Sequence, residues 1–343
     1  MIKLIEIFYY ILKISNVNLI VEMVRGIKMK NLEEVIEELQ SKVDFSGAVM
    51  LQNGDGHAET ASFGYANRAD LLKNNLETRF GIASGCKLFT AIAICQLVEE
   101  GRLTYNTRLK DCLDIEFPSF SEGITIHHLL THTSGIPDYF DEDIMDDFEE
   151  LWIKRPMYHI RSLKDFLPMF QNEQMKFSPG ESFYYNNAGY ILLGLIVEQA
   201  SGMEFTEYVQ EKIFKKAGMN DSGYFSFDAL PSNTALGYID LPDGSWKTNI
   251  YSVPVKGGSD GGAYVTVEDM TKLWKALFGE LLLSEDTLHK LLIPHAQVNE
   301  TGYYGYGVWI KNHDNQILKY HVMAMTQELV SIPPIIQLRK PLP

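Results

Sequence analysis

The 343-residue chain carries 30 Lys+Arg against 45 Asp+Glu, a formal net charge of −15. That acidic balance argues against nucleic acid or anionic lipid as the main partner, because both need a basic footprint. Hydrophobic residues at 45% and charged residues at 22% exclude general disorder, and three cysteines (Cys86, Cys95, Cys112) are too few for a disulfide framework.

Residues 1–28 are rich in Ile, Leu and Tyr, but Glu6, Lys13 and Glu22 interrupt them. The longest uncharged run is the eight residues from Ile14 to Val21, against roughly 20 for a membrane helix. With no small-residue cleavage site either, the reading is no membrane span, no export leader and a cytoplasmic location. The stretch is expected to be a dispensable extension. From Met29 onward, Leu32, Val35, Ile36 and Leu39 fall at helical spacing.

Gly47 to Gln52 reads as a strand, Asn53-Gly-Asp-Gly as a turn and Ala58 to Tyr65 as the returning strand. Ser84 to Glu100 then reads as a helix whose apolar stripe (Leu88, Ala91, Ile92, Cys95, Val98) is widened by Ile94 and Leu97, so it should be deeply buried. Gly101 is its natural stop. Residues 105–230 are expected to be helical and loop-rich. Strand patterns return at Gly262 to Thr266, Tyr306 to Lys311 and Gln316 to Val322, with a helix from Val267 to Leu282. The implied architecture is α/β (α+β): an antiparallel sheet flanked by helices, its chain interrupted by an all-helical lobe.

The strongest local signal is Phe80-Gly-Ile-Ala-Ser84-Gly-Cys-Lys87. Ser84 and Lys87, three apart at a helix start, project from one face. A serine hydroxyl is a poor nucleophile until a neighbour takes its proton. A lysine can do so where burial lowers it from its usual value of ~10.4. A helix start also aims N–H groups where an oxyanion could be held. The structural alternative is a capping serine beside a snorkelling lysine.

Two further segments follow in order: Ile124-Thr-Ile-His-His-Leu-Leu-Thr-His132-Thr-Ser-Gly-Ile-Pro-Asp-Tyr139, then Pro179-Gly-Glu-Ser-Phe-Tyr-Tyr185-Asn-Asn187-Ala-Gly-Tyr190. The three together resemble the serine β-lactamase and penicillin-binding protein superfamily, in its class C-like branch with D-alanyl-D-alanine carboxypeptidases and related esterases. The resemblance runs from about residue 45 to 323. It implies Ser84 as the acylated nucleophile, Lys87 as its general-base partner and Tyr185 as a phenol shuttling protons. It implies that Asn187 binds the substrate's amide and steadies Lys87. Small molecules or short peptides would be the substrates, with no metal or organic cofactor.

The family's third element, a Lys-Thr-Gly or His-x-Gly strand, should fall after Trp309. His321 is the candidate, although Met323 stands where the pattern expects glycine. Prolines then crowd residues 324–343, which the family would use for a strand and a helix. The codons possible for Ala324 to Leu329, read with one added base in front, permit Gly-Tyr-Asp-Pro-Gly-Val. The tail is therefore expected to reflect a frameshift near Met323, leaving residues 29–323 as the hydrolase domain.

Rival readings concern other residues. Gly257-Gly-Ser259-Asp-Gly satisfies the nucleophile-elbow pattern of α/β-hydrolases but lacks the strand before it and the helix after it. His128 and His132 have metal-ligand spacing without the zinc-protease glutamate. A non-catalytic binding module of the same fold is the third alternative. Eight acids crowd Asp138 to Glu150, either as a solvated face or as a cleft rim that favours neutral or cationic substrates.

Overall fold

The computed structural model describes residues 5–9, 11–12, 45–53, 58–141, 145, 148–313, 316–322, 325–326, 329–332 and 335–336. Strand β1 (Ile5–Tyr9) is followed by β2 (Ile11–Leu12), β3 (Gly47–Asn53) and β4 (Ala58–Phe63). β3 lies between β1 and β4, antiparallel to both. Part of the expected extension thus forms a strand, while the helix read at Leu32 to Leu39 and the turn at residues 54–56 lie outside the described residues. Ala48, Val49 and Met50 are all buried, so β3 is covered on both faces.

After the hairpin of β5 (Tyr65–Asn67) and β6 (Leu72–Lys73), β7 (Phe80–Gly81) runs into a 3-10 turn, Ala83–Cys86, and then helix α1 (Lys87–Glu99). Every residue of α1 from Lys87 to Leu97 is buried, as expected for a helix apolar on all sides. Gly101, at φ +71°, ends it in the left-handed conformation that glycine adopts without steric cost.

The helical lobe contains α2 (Leu109–Cys112), α3 (Ile126–Leu130), α4 (Asn187–Ser201), α5 (Phe205–Val209) and α6 (Lys215–Ala217), with 3-10 turns between α3 and α4 and a π-helical turn, Gln210–Phe214, joining α5 to α6. Among the described residues no named strand lies between Gly81 and Tyr238. α4 is buried from Asn187 to Val197 and packs on α1, α3 and α5. The Asn186 side chain caps it at one end and Gly202, at φ +75°, closes the other.

The chain returns through the hairpin β8 (Tyr238–Asp240) and β9 (Trp246–Thr248), then β10 (Tyr264–Val265), α7 (Val267–Phe278) and α8 (Glu285–Leu292). Next come β11 (Ala296–Gln297), β12 (Gly302–Tyr304), β13 (Trp309–His313), β14 (Gln316–His321), β15 (Met325–Thr326), β16 (Leu329–Ile332) and β17 (Ile335–Ile336). The largest sheet has the order β11-β12-β13-β14-β17, and each pairing of these strands is antiparallel. The α/β architecture with a helical lobe is therefore present. Local limits differ: α7 stops at Phe278, just before Gly279, and β13 starts at Trp309, after Gly307 turns at φ +71°. Residues 323–324 and most of the tail lie outside the described residues, so the frameshift reading has no structural counterpart here. No described helix is long and apolar enough to cross a membrane.

Candidate active site

β10 pairs with β7, which brings the glycine-rich segment 257–262 against the Ser84 turn. Ile82 N–H donates to Ala263 O at 2.9 Å and Gly262 N–H to Ala83 O at 3.3 Å. Ala83 adopts φ +37°, a positive value that costs a side-chain-bearing residue energy and is held only by its surroundings. Ser84 sits in the 3-10 turn rather than in the α-helix read from sequence. The change favours the pair, because side chains three apart eclipse one another in 3-10 geometry.

Lys87 is 1% exposed. Its Nζ donates to Asn187 Oδ1 at 2.8 Å and to Asp260 O at 2.7 Å, and it lies 3.0 Å from Ser84 Oγ. An ammonium has three protons and these are three partners. Two of the three, an amide oxygen and a main-chain carbonyl, can only accept. A neutral lysine that keeps both bonds turns its lone pair toward Ser84, the one partner with a proton to give.

Asn187 opens α4. Its Nδ2 donates to Phe140 O and Asp138 Oδ2, each at 3.3 Å, which leaves Oδ1 aimed at Lys87. Asp138 also accepts from the Asn187 and Ala188 main-chain N–H groups at 2.7 and 2.9 Å, satisfying the start of the helix with a negative charge. The Tyr185 ring centroid lies 4.9 Å from Lys87 Nζ, and the ring packs between His132 and Trp309. Buried His132, at φ +56°, accepts from Asn186 N–H through Nδ1 at 3.0 Å. Burial, reinforced by the charge on Lys87, holds this imidazole well below its usual range, so it is neutral with its proton on Nε2.

A cleft of about 530 Å³ opens at Ser84 and Asn187. Among the described residues, the acidic stretch borders it through its aromatic and apolar members Tyr139, Phe140, Phe148, Leu151 and Trp152. Three of its described acids have partners elsewhere. Asp138 caps α4, Asp141 pairs with Lys176 and accepts from Tyr184 Oη at 2.6 Å, and Glu149 pairs with Lys247 at 2.7 Å. Asp260 and Tyr139 also line the cleft, and the phenol donates a short hydrogen bond to the Asp260 carboxyl. Sequence reading passed over both; Asp260 stood only inside a glycine-rich pattern.

The structure thus joins Ser84, Lys87 and Asn187 by hydrogen bonds and Tyr185 by ring contact. His321 stands on β14 opposite Trp309, whose indole stacks on Tyr185. Ser259 is fully buried, and a Cβ added to Gly194 of α4 would meet its Oγ at 2.2 Å, so it faces the helix packing and presents no elbow nucleophile. Cys86, beside Ser84, is buried, and burial pushes its thiol up to about 12, which makes it inert. His128 and His132 do not converge. Nδ1 of the first accepts from Thr125 N–H at 3.2 Å, whereas the second serves Asn186.

The family model described as Beta-lactamase matches residues 32–333. The chain belongs to the beta-lactamase family. This beta-lactamase family member is 33% identical over 302 residues to a penicillin-binding protein of Bacillus subtilis (strain 168), covering 83% of this chain and 64% of that protein. It therefore spans less than two thirds of that relative's length. Among solved structures, a penicillin binding protein from Bacillus halodurans is 62% identical, with a TM-score of 0.80 over 82% of this chain and 85% of that one. An octameric penicillin-binding protein homologue from Pyrococcus abyssi is 28% identical, with a TM-score of 0.69 over 85% and 69% respectively. Membership supports a serine-hydrolase-like function.

Proposed function

We propose that this protein hydrolyses amides or esters through an acyl-enzyme on Ser84. One observation carries the reading: buried Lys87 is held by two pure acceptors while its third direction meets Ser84 Oγ at 3.0 Å. Ser84 attacks the substrate carbonyl as its proton passes to Lys87, so the Oγ–C bond forms. The carbonyl oxygen becomes an oxyanion near the Ser84 N–H, at the start of the helical segment. The C–N or C–O bond then breaks, and the leaving group takes a proton from the Lys87–Tyr185 pair. Water attacks the acyl-enzyme, gives its proton back to that pair and releases the acid, restoring the Ser84 hydroxyl.

Asn187 steadies Lys87 and meets the substrate amide, while His321 contributes from the neighbouring strand. Residues 29–323 form the hydrolase domain in this reading. D-Amino-acid peptides, simple esters and β-lactams are the substrate range it offers.

The test is covalent labelling with a fluorophosphonate or a penicillin-type probe. Wild type and Ser259→Ala are expected to label, and Ser84→Ala is not. Label surviving in Ser84→Ala but lost in Ser259→Ala assigns the nucleophile to Ser259 instead. A folded protein that takes neither probe is a binding module.

A further inference from the structure

The cleft beside Ser84 is walled largely by apolar and aromatic groups, and among the described residues two charged side chains line it, Arg68 and Asp260. Arg68 is already matched: it forms an ion pair with Asp240 and its guanidinium lies 4.7 Å from the Tyr238 ring centroid. Asp260 is placed differently. Its main-chain oxygen binds Lys87 Nζ at 2.7 Å, which fixes the residue beside the reacting pair. Its carboxyl accepts from the Tyr139 phenol, a neutral donor, and the residue is 6% exposed.

The cation next to it acts on this carboxylate through space and not by a hydrogen bond. The bonds given by Lys87 Nζ go to Ser84, Asn187 and the Asp260 main chain, none to the Asp260 carboxyl. When Lys87 is neutral, as attack by Ser84 requires, even its through-space attraction is gone. Burial raises the Asp260 carboxyl above its ordinary range, with Lys87, the Tyr139 bond and main-chain hydrogen bonds from Asp260 and Gly261 opposing that rise. A buried acid in this condition gains from a mobile cation entering the cleft.

We propose that Asp260 anchors a substrate ammonium group, so that the cleft selects amides and esters of α-amino acids with a free amine beside the scissile carbonyl. The substrate's side chain then points along the aromatic wall formed by Tyr139, Phe140, Phe148 and Trp152. This assignment rests on the serine mechanism above and names the substrate class for that same site.

The experiment compares phenylalanine amide, in both enantiomers, with 3-phenylpropanamide, which lacks only the amine, near pH 7. Hydrolysis is read as kcat/KM, and acylation of Ser84 is followed by intact mass. The wild type is expected to favour one enantiomer of the amine-bearing amide on the order of tenfold or more, the scale of a hydrogen bond to a charged group. In Asp260→Asn that ratio should collapse toward one, whatever loss the two substrates share. Should the variant fail to fold, wild-type inhibition by phenethylamine against 2-phenylethanol gives the same reading, with the amine binding more tightly. Equal rates for the amine and des-amino amides, with Ser84 acylated by both, overturn the Asp260 assignment and leave the serine mechanism standing. Absence of any acylation of Ser84, by these amides or by a fluorophosphonate, overturns both.

Discussion

Lys87 Nζ stands 3.0 Å from Ser84 Oγ, while its other two partners, Asn187 Oδ1 and Asp260 O, accept hydrogen bonds and donate none. The pair is local in sequence, but the acceptors come from the start of α4 and from the glycine-rich segment beside β10. Three separate parts of the chain therefore fix one ammonium. The direction left for a lone pair is set by the fold, and it points at the serine.

Asn187→Ala removes one of the two acceptors and also leaves Phe140 O without its Nδ2 donor. Turnover of an ester probe is expected to fall about tenfold or more, expressed mainly in kcat, with a stability loss of about 1–3 kcal/mol from the buried groups left unpaired. Steady-state kinetics and a denaturant melt check both. Unchanged kcat would show that Lys87 needs no support from Asn187.

Gly307 packs directly on α1. It has φ +71°, and a Cβ there would lie 2.7 Å from Lys87 O and 2.9 Å from Ala91 Cβ. Gly307→Ala therefore combines a left-handed side-chain-bearing residue with overpacking, and is expected to cost about 1–3 kcal/mol. A thermal melt should show a fall of several degrees, and Ser84 acylation should slow with it. An unchanged melting temperature would contradict the close approach.

Acid stability has a defined sign. Burial, then the neighbouring His295, lowers His127 from 6.5 to about 4, and buried His132 is also held low. Above about 6.5 both folded and unfolded imidazoles are neutral and the full stability is present. Between about 6.5 and 4 the unfolded chain binds protons that the folded one refuses, so stability falls as pH falls. Urea midpoints measured from pH 8 to 4.5 should be level above neutrality and then decline. His127 Nδ1 meets Tyr306 Oη at 2.9 Å; His127→Asn keeps a polar atom near that position and does not titrate, so its decline should be shallower. Superimposed profiles would rule out His127 as a contributor.

Legibility from sequence followed range and side-chain identity. Ser84 and Lys87 were readable because they share one short helical segment with a buried, all-apolar continuation. Tyr185 and Asn187 were readable through family resemblance, since nothing in their local pattern separates them from packing residues. Asp260 O was not readable at all: the group that binds Lys87 is a main-chain carbonyl 173 positions away. The partners of Asp141 and Glu149, Lys176 and Lys247, lie far along the chain, and Asp138 turns inward to meet the start of α4, so none of these contacts is legible from the acidic run itself. The β8–β9 hairpin has no strand signature in its sequence, because strands of three residues are too short to show an alternation. The 3-10 form of the Ser84 turn depends on Ala83 at φ +37°, a strain imposed by the neighbouring segment 261–263.

The central claim is that Ser84 carries the acyl group and that Lys87 takes its proton. Intact-protein mass spectrometry, followed by peptide mapping, tests it directly after millisecond-to-minute mixing with an activated ester. A single acyl adduct on the peptide bearing Ser84, forming quickly in wild type and at least a hundredfold more slowly in Lys87→Met, is the expected result. An adduct on another residue, or equal acylation rates in the two proteins, would contradict it.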